Sequence, residues 1–425
     1  MTELEAHTWV SSASAGRGVL GEWARGFRTR EVMLFLGPAF VASIAYMDPG
    51  NFATNIAGGS TFGYTLLWVL LYSNLIAVLV QTLSARLGIM TGKTLPQNCR
   101  EHLPRPVTLG LWITAEIMAM ATDLAEFLGA ALGFYLLLSI PLFPAALITG
   151  AFSFWLLWVH GRGQRKLEHI MMGFVAVIGL AYLVEVLLAD PDWGAVLHGI
   201  AVPQLNTQSL YVAMGMLGAT VMPHVIFLHS ALVLPRRAEV PSPQRRRVFH
   251  FALLDVLVAM NIAWLINSSM VIMAAAVFFD AGIRIDSIEQ AHQTLVPLLG
   301  VGAAAAFGIA LIASGLSSAT VGTLAGQVII EGFLRVRIPL FVRRAVTMIP
   351  ALIVIGMGWD PLRILLVSQV ALSVALPFAI VPLIWLNASP RVMGKARLGA
   401  GWTGLSVGVA ALIVALNLWL IGSLL

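Results

Sequence analysis

The chain is poor in charge and nearly devoid of cysteine. Only 11% of its 425 residues are Asp, Glu, Lys or Arg, while 59% are hydrophobic. A soluble domain carries about 25% charged residues, so a soluble globular fold is excluded and a polytopic membrane protein is expected. The single cysteine, Cys99, excludes a disulfide within the chain and any cysteine-rich metal centre. No G-x-x-x-x-G-K-[ST] and no H-E-x-x-H occurs, which removes the phosphate loop of an ATP-driven pump and the zinc motif of a membrane protease. Residues 1–30 hold Arg17, Arg25, Arg28 and Arg30 without a compact apolar core. They are expected to be a cytoplasmic tail rather than a signal peptide.

What is abundant is apolar sequence in stretches long enough to cross a bilayer. Eleven are expected, near 33–58, 64–86, 108–138, 144–159, 168–189, 208–234, 249–279, 290–330, 344–358, 362–386 and 401–424. The third, seventh and eighth are overlong, the fourth is short, and the eighth contains the Gly/Ser-rich "ASGLSSATVGTLAG". All but two of the 25 Lys and Arg fall in alternate connecting segments, the exceptions being Arg284 and Arg363. The positive-inside rule then puts the N-terminus in the cytoplasm and the C-terminus outside. By the same reasoning the "RRR" at 245–247 is a topology anchor, not a nucleic-acid patch.

Two of these spans contain helix breakers where lipid should be. In the first, "SIAYMDPGN" puts Asp48, Pro49 and Gly50 at mid-span; in the sixth, "GATVMPHVIFLHS" does so with Met222, Pro223 and His224. Proline lacks an N–H and crowds the preceding turn, and glycine tolerates unusual dihedrals. Five spans separate the two, so each opens a five-span unit and the units have opposite topology. That pattern points to an inverted repeat with discontinuous helices around a midplane binding site. Either break alone reads as an ordinary proline kink; the matched pair favours a site.

An ionisable group deep in a span is a functional candidate by default. The deep acids are Asp48 and, in "AEIMAMATDLAEFLG", Glu116, Asp123 and Glu126. At about 100° per residue, Asp123 falls about 20° from Glu116 and Glu126 about 60° from Asp123, so one stripe of the third span carries all three, as in a proton relay. The alternative is that they merely pair with arginines of neighbouring spans. Glu185, Asp255 and Glu331 lie nearer span ends, where interfacial roles suffice. At the breaks, Asp48, Asn51 and carbonyls freed near Ala45 and Tyr46 offer hard oxygen, and Met222 offers a soft thioether, unless it is plain packing. A mixed set without thiolate suits Mn²⁺ or Fe²⁺ and admits Cd²⁺ or Co²⁺. His224 and His229 sit about 140° apart on a helix and form no metal-binding pair; His224 is either a titratable neighbour of the site or a hydrogen-bonded polar residue. Gly58 and Gly59 read as hinge points or as loop.

"MDPGN", "MPH", "TDLAEFLGAA" and "IASGLSS" resemble the natural-resistance-associated macrophage proteins, the Nramp divalent-metal transporters, over nearly all of 33–424. The resemblance implies a LeuT-type fold: repeat one over about 31–190, repeat two over about 206–388, and an extra eleventh helix over about 400–424, all in one transmembrane transport domain at 31–425. Carried over by motif, Asp48, Asn51 and Met222 would bind metal through side chains, Ala45 and Ala219 through carbonyls, and Gln369 in some states. Asp123 would accept a co-transported proton, with Glu126, Glu116 and His224 along the route and Arg236 or Arg344 pairing at its cytoplasmic end. Retention of Met222 argues against Mg²⁺ as the main substrate. The expected activity is proton-coupled uptake of Mn²⁺ or Fe²⁺ by a multi-pass plasma or inner-membrane protein, as a monomer, without cofactor, ATP or nucleic acid. The rivals are a symporter of an organic substrate such as an amino acid on the same fold, an intramembrane enzyme and a passive channel.

Overall fold

The structure, a computed structural model, describes residues 37–161, 163–238 and 245–424. The expected tail at 1–30 lies outside the described residues. Among the described residues the regular structure is helical throughout. Nine helical stretches are long and apolar enough to cross a membrane. One of them, Pro49–Thr91, joins the end of the first expected span to the whole of the second, and the ninth expected span is the 17-residue helix Leu340–Gly356. With Pro38–Ile44 beginning the first, all eleven expected spans are helical.

The first span is α1 (Pro38–Ile44) and α2 (Pro49–Phe62), separated by a tight turn at Ala45–Met47. The second is α3 (Leu67–Thr91), followed by the short α4 (Leu95–His102). Spans three to five are α5 (Arg105–Leu138), α6 (Leu142–His160) and α7 (Gln164–Ala189). After α8 (Trp193–Ala201), the sixth span is α9 (Thr207–Thr220) and α10 (Pro223–Leu232), and α11 (Leu234–Ala238) leads away from it. The seventh is α12 (Arg245–Ala274), ending in a widened turn at Ala275–Phe279. Then come α13 (Ile288–Leu299), α14 (Val301–Leu334) and α15 (Leu340–Gly356). The tenth span is α16 (Pro361–Ala375) and α17 (Pro377–Ala388); after α18 (Pro390–Met393) the last is α19 (Ala400–Leu424).

Two details differ from expectation. The eighth expected span is two helices, because Gly300 at φ 92° ends α13. The tenth is interrupted at Leu376, where Pro377 cannot donate a backbone hydrogen bond. The Gly/Ser-rich stretch does not loosen α14, which runs unbroken for 34 residues. Its glycines instead bring backbones together: a Cβ on Gly308 would meet Leu137, and one on Gly315 would lie 2.6 Å from the Ala130 nitrogen. Small residues at such a seam let membrane helices approach closely, so α14 lies along α5 at the centre of the bundle. Gly58 and Gly59 likewise belong to a continuous α2; a Cβ on Gly59 would be 2.6 Å from the Val271 carbonyl, so it serves close packing on α12 and not a hinge.

At 1.5 Å per residue, α5 is about 51 Å long and outreaches an apolar slab of about 30 Å. The basic segments meet at one end of the bundle. Arg237 donates to the Ile89 carbonyl at 2.9 Å, Arg100 to the Gly332 carbonyl and Arg86 to the Ala396 carbonyl. At the other end, Trp68 donates to the Gln204 carbonyl at 3.1 Å. Large apolar side chains such as Ile117, Leu180, Leu187, Val407 and Leu418 face outward. So continuous an apolar exterior marks a multi-pass membrane protein.

Candidate functional site

The chain turns out of helical geometry at Asp48 (φ −75°, ψ 170°) and re-enters it at Pro49, where a missing N–H costs nothing. Asp48 caps α2: its Oδ1 accepts from the Asn51 backbone N–H at 2.8 Å and from Asn51 Nδ2 at 2.8 Å. Its Oδ2 has no partner, and neither has Asn51 Oδ1. Both residues are fully buried. Two of the carbonyls released by the break are taken by other helices: Ser314 Oγ of α14 donates to the Met47 carbonyl at 2.6 Å, and Asn267 Nδ2 of α12 donates to the Tyr46 carbonyl at 2.6 Å. The Tyr46 carbonyl, expected near the site, thus already has one partner in Asn267. Ala45 is buried at the start of the turn.

The second break lies at Val221 (φ −110°, ψ 74°) and Met222 (φ −72°, ψ 116°), and α10 starts on Pro223. Met222 is fully buried. A direct bond joins the two breaks, since Asn51 Nδ2 also donates to the Ala219 carbonyl at 3.1 Å. The third wall is α16. A Cβ on Gly50 would fall 1.9 Å from Gln369 Nε2, and one on Gly218 would fall 2.0 Å from the Gln369 carbonyl, so both broken helices press on this residue. Gln369 Oε1 has no partner either. The unsatisfied acceptors on these three walls are Asp48 Oδ2, Asn51 Oδ1 and Gln369 Oε1, and the Met222 thioether stands in the second break. Buried acceptors left unpaired are costly, and a bound cation would satisfy them. Among the described residues no three His, Cys, Asp or Glu side chains assemble into a metal cage. One carboxylate with neutral donors suits an ion that must leave again better than a resident one.

The acid stripe on α5 divides. Glu116 is held by Arg343, Nη2 to Oε2 at 2.8 Å and Nη1 to Oε1 at 3.4 Å. Asp123, 1% exposed, has Arg344 Nη1 at 3.6 Å from its Oδ1. Arg344 is itself fully buried, lies over the Phe127 ring at 5.5 Å and donates to Ser153 Oγ at 3.1 Å. Glu126 is fully buried without an ion-pair partner among the described residues. Ser318 lies beside it and Thr347 beside Asp123, and those hydroxyls are also within 3.4 and 3.3 Å of the Gly315 and Arg344 carbonyls. Pairing with arginines therefore accounts for Glu116 and in part for Asp123, and not for Glu126. Gly322 of α14 closes over both deep acids; a Cβ there would be 2.5 Å from Glu126 Oε2 and 2.6 Å from Asp123 Oδ1. His224 Nδ1 lies 3.4 Å from the hydroxyl of Thr122, Asp123's neighbour, and its Nε2 is unpartnered. The first turn of α10 thus runs from the Met222 break to Thr122 of α5.

Arg236 does not join them. α11 carries it toward α7, where Nη2 meets Glu168 Oε2 at 2.9 Å, and of the two arginines it is Arg344 that lies beside Asp123. Asp255 is also more than interfacial: buried, it accepts from the Gly37 and Ala39 N–H groups at 3.2 and 2.8 Å and so caps α1. Glu331 is as expected, paired with Arg337 at 2.7 Å near the surface. Sequence reasoning missed the residues that secure the breaks, Ser314 and Asn267. It also missed a buried chain in which Gln81 donates to Tyr46 Oη at 2.6 Å and takes a 2.8 Å contact from His229 Nδ1. A lone Asn, Gln or Ser in an apolar span is the signal that could have found them.

Two interrupted helices joined at buried polar groups inside a five-plus-five bundle, with α19 added, define a multi-pass membrane protein of the LeuT type. A transporter of the nucleobase-cation-symport-1 family in a closed conformation shares the architecture, with TM-score 0.62 over 92% of this chain and 90% of that one, and at 15% identity the likeness is one of fold alone. Residues 39–423 match the family model "Natural resistance-associated macrophage protein-like", and the chain belongs to the Nramp family. It is 52% identical over 369 residues to the divalent metal cation transporter MntH of Caldanaerobacter subterraneus subsp. tengcongensis, covering 87% of this chain and 88% of that protein. To MntH of Bacillus subtilis it is 49% identical over 399 residues, 93% of each chain. The crystal structure of an Eremococcus coleocola manganese transporter, in complex with an aromatic bis-isothiourea substituted compound, matches with TM-score 0.82 and 31% identity, covering 100% of this chain and 91% of that one.

Proposed function

We propose that this protein takes up Mn²⁺, and by the same donor chemistry Fe²⁺, together with protons, by alternating access across the cell membrane. The observation that carries the reading is the joined pair of breaks: Asn51 bonds both Asp48 and the Ala219 carbonyl, while the outer oxygens of Asp48 and Asn51 stay unpaired. Asp48, Asn51 and Met222 bind the ion through side chains, Ala45 and Ala219 contribute carbonyls, and Gln369 closes on it from α16. A thioether beside hard oxygens favours Mn²⁺ and Fe²⁺ over Mg²⁺ and Ca²⁺. Relatives named as divalent metal cation transporters and a manganese transporter of the same fold support the substrate class.

The arriving dication lowers the tendency of nearby carboxyls to hold protons. Asp123 is the proton acceptor, flanked by Glu126, Glu116 and His224, with Arg344 at its basic end. The positive-inside rule puts that end in the cytoplasm, with the N-terminus, and the C-terminus outside. Residues 31–425 act as one transport domain, with a monomer as the working unit. Uptake by proteoliposomes tests the reading: Mn²⁺ enters wild-type vesicles with acidification, and Asp48→Ala vesicles take up none. Intact Mn²⁺ uptake by Asp48→Ala refutes the site. Metal entry without acidification or saturation would make the protein a channel, and uptake of an amino acid in place of metal would favour the organic-substrate symporter.

A further inference from the structure

Glu185, for which an interfacial role was expected, is instead buried. It lies on α7, is fully buried, and neither carboxyl oxygen has a hydrogen-bond partner. Tyr182, three residues earlier, is equally buried, and its Oη is also unpartnered. Residues three apart share a helix face, so the two side chains leave α7 on the same side. The Tyr182 ring meets Phe52 edge-on at 5.3 Å, Phe52 meets Phe307 at 6.0 Å, and the His292 ring lies 6.3 Å from Phe307. Phe52 follows Asn51 on α2. The pair therefore backs the helix that carries the metal site, and reaches it from α7 instead of α5.

The charged surroundings are sparse. The elements packed on α7 are α1, α6, α12, α13 and α14. α1 has no titratable group, and α14 has only Glu331, at the far end. α12 carries its charges (Arg245 to Arg247, His250, Asp255) in its first turns at the basic end, where α6 ends in His160 and α7 begins with Arg165, Lys166, Glu168 and His169. Toward the other end are Asp190, beyond α7, and Glu289 and His292 on α13. Among the charged groups whose side chains are described, none forms an ion pair with Glu185. A carboxylate buried this completely without counter-charge or donor is far costlier than the neutral acid.

We infer that Glu185 is a separate proton-binding site: a neutral carboxylic acid, on the same side of α7 as Tyr182, that keeps its proton while metal binds and leaves. The wall behind α2 then stays uncharged, and the negative charge a cation meets at the first break is that of Asp48. The inference does not rest on proton-coupled uptake, because this proton is resident and not transported.

Infrared spectroscopy of the purified protein in lipid vesicles tests it. Glu185→Gln should remove one protonated-carboxyl C=O band, sensitive to D₂O, from the wild-type spectrum. Tyr182→Phe should shift that band, and saturating MnCl₂ should leave it in place. Loss of carboxylate stretching bands in Glu185→Gln overturns the inference, and so does disappearance of the acid band on adding MnCl₂. If Glu185→Gln does not fold, Tyr182→Phe decides: a shifted acid band supports the site and an unmoved spectrum refutes it.

Discussion

Replacing Asp48 by Asn isolates the charge at the first break. The side chains have the same shape, and Asn caps a helix as well as Asp does, so the bond to the Asn51 N–H at 2.8 Å has a surviving acceptor. What disappears is the negative charge of a fully buried group whose Oδ2 is free to take a cation. Truncating one member of a buried charge pair costs about 2–5 kcal/mol. At about 1.4 kcal/mol per tenfold, that weakens Mn²⁺ binding by about 30- to 3,000-fold. Isothermal titration of Mn²⁺ into wild-type and Asp48→Asn protein reads this directly. A melting temperature close to wild type shows that the cap is retained and that the loss belongs to binding. A dissociation constant within about threefold of wild type would refute the reasoning, because a carboxylate in the coordination sphere cannot be neutralised so cheaply.

Met222→Ala should erode discrimination between Mn²⁺ and Ca²⁺ by about tenfold, since only the soft donor distinguishes these ions; competition uptake in proteoliposomes checks this, and unchanged discrimination removes the sulfur argument. Asp123→Asn should abolish vesicle acidification during Mn²⁺ entry, measured with a trapped pH dye; full acidification would move the proton path elsewhere. Arg344→Ala should destabilise the fold by about 3–5 kcal/mol by leaving a buried acid without its counter-charge, and Asp123→Asn in the same chain should recover part of that in thermal melts. Gly322→Ala puts a methyl group 2.5 Å from Glu126 Oε2 and 2.6 Å from Asp123 Oδ1; it should slow coupled uptake by about tenfold or more in a protein that still folds, and wild-type rates would show that these acids can move aside freely.

Much of this architecture is legible in the chain because a membrane imposes few solutions. Backbone polar groups must be satisfied within the span, so apolar length alone marks helices, and arginine placement fixes their alternation. The breaks were readable because Pro49 and Pro223 cannot donate at mid-span. The break at Leu376 was not, since Pro377 lies where a helix start and a kink look alike, and Gly300 was hidden in a run of apolar residues. Within the site, Asp48, Asn51 and Met222 stand at the breaks they were expected to mark, and Asp123 meets Arg344. What sequence could not give is which orphaned carbonyl goes where. Ser314 and Asn267 reach across from α14 and α12, more than 200 positions away, and no local pattern encodes such a partner. The choice between Arg236 and Arg344 stayed open for the same reason: a basic residue after span six can face α5 or α7, and only packing chooses, here bringing Arg236 to Glu168.

The central claim is that the two broken helices close on one cation. X-ray absorption at the manganese edge of the loaded protein tests it most directly. The account predicts an oxygen-dominated shell with one sulfur scatterer that is lost in Met222→Ala, and loss of the bound ion in Asp48→Asn. A shell without sulfur in wild type, or one that is the same in Met222→Ala, would contradict it.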